Sequence, residues 1–321
     1  LSENHNQITL ICMRILPLLA VFLVLPLATA QAASFDCKKA TARIEKTICG
    51  DPELSRADER LAAAFADVAA VSLSPVTLRT EQAEWLRERD KETNVKKLRE
   101  SYQSRNDALD KQGTAWRTAR QDIPLEQAKK TCLLSPESEA DTPCTVTGFE
   151  SVPGDPALRY QLQAYKDGDM QLATGVVIFR PTGDKLTPVV AIGGTDSHFE
   201  APEALDTPFG RLLWLAGYMS GTGNFNAEHV FRYDRDRLVE IDVTSWLDDL
   251  QKRVPKGWGA WKGIYPDYKK FTASTPLWQS NDGNCCPTAG RADIRLGLER
   301  DRLVLREVTI ARGEKAAVGD R

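Results

Sequence analysis

Between Ser34 and Leu109 the chain has a single glycine, Gly50, and its two prolines both follow residues suited to starting a helix, in Asp51-Pro52 and Ser74-Pro75. Beyond Cys144 the same chain is interrupted every few residues by Gly, Pro, Asn or Asp. One regular architecture does not accommodate both patterns, so the sequence calls for an α+β fold: a helical module followed by a β-rich one.

In the first part, Leu54, Ala57, Leu61, Phe65 and Val68 recur at three- and four-residue steps after the Asp51-Pro52 start. That spacing puts them on one helical face. Ser74-Pro75 opens a second helix with Leu78, Trp85 and Leu86 inward, and Thr93 caps a third carrying Val95, Leu98, Tyr102 and Leu109. A short helix over about Thr41 to Cys49 precedes them, and four such stripes bury one another in a small bundle over residues 33–110. Cys37 and Cys49 bracket the short helix. A bridge there constrains the unfolded chain by about 2–4 kcal/mol; the competing use, metal binding, lacks a CxxC or a nearby histidine.

Residues 111–143 read as a linker, polar from Asp110 to Lys130 with Gly113 and Pro124, and holding one helical stretch. From Cys144 to the end, apolar and polar residues alternate in short runs, as half-buried strands do. Three segments place an Asp-Lys/Arg-Leu turn between apolar runs, at Asp184, Asp236 and Asp301, and each reads as a β-hairpin with a charged tip. Their spacings, 52 and 65 residues, are too irregular for a strict propeller repeat, which leaves a sheet of hairpins or a sandwich.

Arg14 followed by the uncharged run Ile15 to Ala28, and small residues at Ala30 and Ala32, read as a secretory signal cleaved near Ala32, with translation starting at Met13. The run is shorter than a membrane-spanning helix and holds Pro17 and Pro26, so no integral membrane segment is expected in the mature protein. Removing residues 1–32 takes one of seven cysteines and one of three histidines, leaving six and two. An even cysteine set in an exported protein reads as disulfides, placing it in the periplasm or outside the cell. Cys285 and Cys286 either form a vicinal ring or bond elsewhere, for instance to Cys132 and Cys144.

The residues of the helical part resemble a known family. Phe35-Asp36-Cys37, Lys39-Ala40, Glu45, Ile48-Cys49, Pro52, Leu54, Asp58, Leu61 and Phe65, then Trp85-Leu86 with Arg89-Asp90, Leu98, Tyr102 and Arg105, look like the N-terminal domain of the LprI-type lysozyme inhibitors over residues 34–109. Members of that family usually carry a second cysteine pair, where this chain has Lys91 or Glu92 and Lys97. The joint absence implies that the missing pair was bonded to itself, which supports Cys37 to Cys49 as the surviving bridge. The resemblance implies a lysozyme partner, yet the shared residues are mostly core stripes and no inhibitory residue carries over from them.

Charge and motifs narrow the function further. With 42 Lys and Arg against 45 Asp and Glu, the chain lacks the positive excess that phosphate neutralisation requires, so nucleic acid is not an expected partner. A net charge of −3 is compatible with steering towards a basic enzyme without specifying one. Asp196-Ser197-His198 has the residue types of a catalytic triad, but sequence neighbours do not easily face one another, and a hydrolase needs His198 in a cleft beside a nucleophile. His198 and His229 lie outside metal-ligand spacing. Neither catalytic residues nor a cofactor or metal are expected. Candidate binding residues are Trp258, Trp261, Tyr265 and Tyr268, which either stack on a ligand or cap the sheet, and Ser220 and Thr222. The last two lie in Met219-Ser220-Gly221-Thr222-Gly223, loosely similar to loops that other lysozyme inhibitors insert into the active site. The expected function is binding: occlusion of a lysozyme-like muramidase or, as the alternative, recognition of an envelope glycan or protein without inhibition.

Overall fold

The computed structural model describes residues 33–134, 143–167, 170–193, 197–221 and 225–312; the expected signal segment, and Asp196 and Thr222, fall outside them. Four helices come first: α1 (Arg43–Gly50), α2 (Pro52–Val71), α3 (Pro75–Lys91) and α4 (Val95–Ala119). Asp51 caps α2, its Oδ1 accepting from the backbone of Glu53 and Leu54. The cap of α4 is Asn94, accepting from the Lys97 N–H, and not Thr93 as the sequence suggested. Ile48, Leu54, Leu61, Leu78, Leu98, Tyr102 and Leu109 form the bundle core. Cys37 and Cys49 are disulfide-bonded across α1.

Of the residues that carry the family resemblance, Ile48, Leu54, Asp58, Leu61, Leu98 and Tyr102 are buried inside this bundle, whereas Lys39, Pro52 and Asp90 are exposed. Asp58 is buried, and its carboxylate accepts from the Ser34 N–H and hydroxyl on one oxygen and from the Tyr102 hydroxyl at 2.7 Å on the other. Arg89 approaches the same carboxylate at 3.8 Å and stacks over Trp85. Burial, reinforced by Asp58, drives the Tyr102 phenol pKa far above its ordinary value, so it stays a neutral donor.

The stretch read as a linker carries structure. Its first nine residues complete α4, after which come β1 (Ile123–Pro124) and the single turn α5 (Leu125–Ala128). Trp116, Ala119, Ile123 and Ala128 are apolar because they cover a sheet face made by Val177, Phe179 and Ala191. Gln161 and Gln163, fully buried, hold this segment: Gln161 donates to the carbonyls of Ala128 and Thr131, and the Leu134 N–H donates to Gln163. A Cys132–Cys144 disulfide closes the excursion.

Three antiparallel sheets follow. The first takes β1 and four long strands, β2 (Cys144–Val152), β3 (Asp155–Asp167), β4 (Met170–Thr182) and β5 (Lys185–Gly193), in the order β1-β5-β4-β3-β2. A ribbon of β6 (Ser197–Phe199) and β9 (Gly217–Met219) lies beside the second sheet, formed by β7 (Glu203–Thr207), β8 (Gly210–Leu215), β10 (His229–Asp234) and β11 (Arg237–Ile241). After the helix α6 (Leu247–Arg253), the third sheet contains β12 (Trp258–Gly259), β13 (Thr272–Gln279), β14 (Gly290–Glu299) and β15 (Arg302–Arg312). Consecutive residues of the second sheet enter different cores: Leu212 and Val230 pack towards the third sheet, Leu213 and Phe231 towards the first. Because side chains alternate along a strand, this places the second sheet between the other two.

All three charged turns are hairpins with two-residue loops, pairing Thr182 with Lys185, Asp234 with Arg237 and Glu299 with Arg302. Gly183, Arg235 and Arg300 all have positive φ at the first loop position, as the twist of such hairpins requires. Among the described residues no helix is long and apolar enough to cross a membrane, and no cluster of three metal-ligating side chains occurs.

Candidate functional site

Among the described residues, exposed rings gather at the end of β9, in the ribbon beside the second sheet. Gly217 starts that strand because a Cβ there would lie 2.6 Å from the Phe199 ring and 2.8 Å from the Ala227 carbonyl. The chain then presents Tyr218, Met219 and Ser220, and the Phe225 carbonyl accepts from the Met219 N–H at 2.8 Å. Phe225 is 55% exposed, the most of any large apolar side chain among the described residues, and Tyr218, Met219 and Tyr265 are exposed beside it.

Two polar groups, half-buried Asn226 and buried Glu228, fix this edge. Asn226 clamps the neighbouring loop, donating from Nδ2 to the Ile264 carbonyl at 2.6 Å and accepting the Ile264 N–H at 2.7 Å. Glu228 is 6% exposed; its Oε1 accepts from the Tyr268 hydroxyl at 3.0 Å and from Asn226 at 3.2 Å. Its Oε2 has no partner at hydrogen-bond geometry, although the Trp214 indole is close enough to pull the carboxyl pKa down. Burial outweighs these donors and raises the Glu228 pKa above its ordinary value.

The expected aromatic loop therefore divides. Tyr268 is 2% exposed and committed to Glu228, so it belongs to the core and is removed from the binding candidates. Trp258 is half-buried in β12 and packs on the same core, while Trp261 stacks on buried Trp278 with ring centres 6.0 Å apart. Both Tyr265 and Trp261 remain exposed at the surface. Ser220 is exposed, and its hydroxyl lies 2.7 Å from His198 Nε2, with the imidazole stacked on Tyr218. This serine–histidine contact was not legible in the sequence, where Ser197 is the neighbour of His198 and Ser220 is 22 residues away. Among the described residues no carboxylate hydrogen-bonds the imidazole, so the orienting member of a triad is not in evidence.

Cys285 and Cys286 bond to each other on an exposed loop. The loop is organised by Asp282, whose carboxylate accepts from the Gln279 N–H and from the N–H and hydroxyl of Thr288. Those donors, the Thr288 hydroxyl first, hold the Asp282 pKa below its ordinary value.

The exposed rings of Tyr218, Phe225 and Tyr265 are the candidate contact surface. Residues 37–133 match the family model described as "Lysozyme inhibitor LprI", a segment of the chain that spans the helical bundle and runs on through Cys132. No curated protein and no solved structure gives a significant match to the chain.

Proposed function

We propose that the protein is an exported inhibitor that binds a lysozyme-type muramidase and blocks its substrate cleft. The family match over residues 37–133 carries this reading. Three disulfides suit an extracytoplasmic protein, in keeping with the signal segment expected at residues 1–32.

Because many of the residues typical of the family are buried in the bundle core, the contact surface is sought elsewhere, and the Tyr218–Phe225 edge is the candidate. Its rings flank the exposed Ser220 hydroxyl, and Asn226 and Glu228 hold the neighbouring loop at Ile264 and Tyr268, which limits the conformational entropy lost there on binding. Exposed rings on a rigid support are typical anchors for a partner's pocket.

The test is surface-plasmon-resonance binding of the purified mature protein to lysozyme. Saturable binding is expected, weakened about tenfold or more by the double substitution Tyr218→Ala and Phe225→Ala, with an unchanged circular dichroism spectrum. No binding by the wild-type protein at about 100 μM would remove this reading.

A further inference from the structure

The third sheet carries a second surface feature. A shallow trough of about 600 Å³ runs between its outer face and the loop bearing Tyr265 and Asp267. Strand register arranges its floor in two cross-strand rows, Thr272–Arg295–Glu307 and Ser274–Asp293–Thr309. Every charged group of the lining has an opposite partner within reach: Arg295 with Glu307 at 3.2 Å, Asp293 with Arg291 at 2.8 Å, and Asp267 with Lys270 at 2.8 Å.

Local charge cancellation decides the ligand class. A polyanion meets three carboxylates, and a polycation meets Arg295, Arg291 and Lys270, so neither gains a field of one sign. A neutral polyol suits both: carboxylates accept its hydroxyl protons, while the guanidinium and the Thr and Ser hydroxyls donate to its oxygens. Tyr265, 45% exposed at the margin of the trough, offers a flat ring to the apolar C–H face of a sugar. Its position is set on both sides, by Asn226 holding Ile264 and by Glu228 holding Tyr268.

We infer that this trough binds a short, uncharged oligosaccharide, with Tyr265 as the stacking platform and Asp293, Arg295 and Glu307 as the hydroxyl-reading groups. The trough adjoins the muramidase-binding edge at Tyr265, and sugar binding in it is measured without reference to inhibition.

The experiment is a ¹H–¹⁵N NMR titration of the whole mature protein with chitotriose and with cellotriose. Saturable shifts are expected for at least one of them, confined to the amides around Tyr265, Thr272–Ser274 and Asp293–Arg295. Tyr265→Ala is expected to weaken binding about tenfold and Tyr265→Phe to preserve it, because the ring face makes the contact. Asp293→Asn, at the partly exposed floor where the fold is little affected, is expected to weaken it several-fold. The inference is overturned if neither sugar produces saturable shifts at about 10 mM, if the shifts lie elsewhere, or if Tyr265→Ala and Asp293→Asn bind as wild type. Tighter binding of a sulfated oligosaccharide in the trough would also overturn it. Tyr218→Ala with Phe225→Ala separates the two sites, since that variant is expected to lose muramidase binding and keep sugar binding.

Discussion

The Glu240 carboxylate on β11 accepts a hydrogen bond from the backbone N–H of Val76, 164 residues earlier, at 2.8 Å. Val76 stands in the first turn of α3, where N–H groups lack helical partners. Ser74, the N-cap residue, makes no bond to that backbone and turns its hydroxyl to Thr77 instead. A buried carboxylate from the second sheet thus takes over the capping of a helix in the bundle, and its other oxygen lies 2.6 Å from His229 Nδ1. The helix dipole favours a negative charge at this end.

Glu240→Ala leaves both the Val76 N–H and the His229 ring without this partner, and is expected to lower stability by about 2–4 kcal/mol. Glu240→Gln keeps one acceptor and is expected to cost less. Urea unfolding followed by tryptophan fluorescence checks both; a loss below about 0.5 kcal/mol for the alanine variant would show that the contact contributes little.

Glu228 gives a pH dependence with a definite sign. Burial holds its carboxyl pKa above the ordinary 4.5, so the folded protein retains a proton that the unfolded chain has released. Its contribution to stability is greatest below about pH 4.5 and is lost as pH rises towards the folded pKa. Glu228→Gln, which mimics the protonated form, is expected to gain on wild type as pH rises through that window. Urea midpoints at a series of pH values measure the difference; a constant gap, or one that moves the other way, contradicts the assignment.

The Cys37–Cys49 bridge spans 12 residues around α1 and the start of the core stripe. Replacing both cysteines by serine is expected to lower the stability of the bundle by about 2–4 kcal/mol. The expected readout is a shifted urea midpoint with little change in helical circular dichroism before unfolding.

Local chemistry made much of this fold legible. The Pro52 and Pro75 helix starts, the apolar stripe from Leu54 to Val68 and the three charged hairpins are each specified by residues close together in sequence. What escaped depends on distant partners. Trp116, Ala119 and Ile123 looked like part of a linker because the sheet they cover comes some sixty residues later. Whether Tyr268 stacks on a ligand or caps the sheet was open in the sequence because its buried acceptor, Glu228, comes from another segment. The pairing of Cys132 with Cys144 and of Cys285 with Cys286 was likewise undecidable from spacing, and the Ser220–His198 contact requires the β6–β9 pairing to exist. The exposed edge had only a faint trace, in the Met219-Ser220-Gly221 turn.

Inhibition of a lysozyme-type muramidase, the proposed activity, is read in a turbidity assay. Purified mature protein is titrated into lysozyme acting on a suspension of bacterial cell walls, beside the Tyr218→Ala, Phe225→Ala variant. The expected result is dose-dependent slowing of lysis that saturates near equimolar protein and is lost or shifted to at least about tenfold higher concentration in the variant. Unchanged lysis at a large molar excess of the wild-type protein would contradict the account.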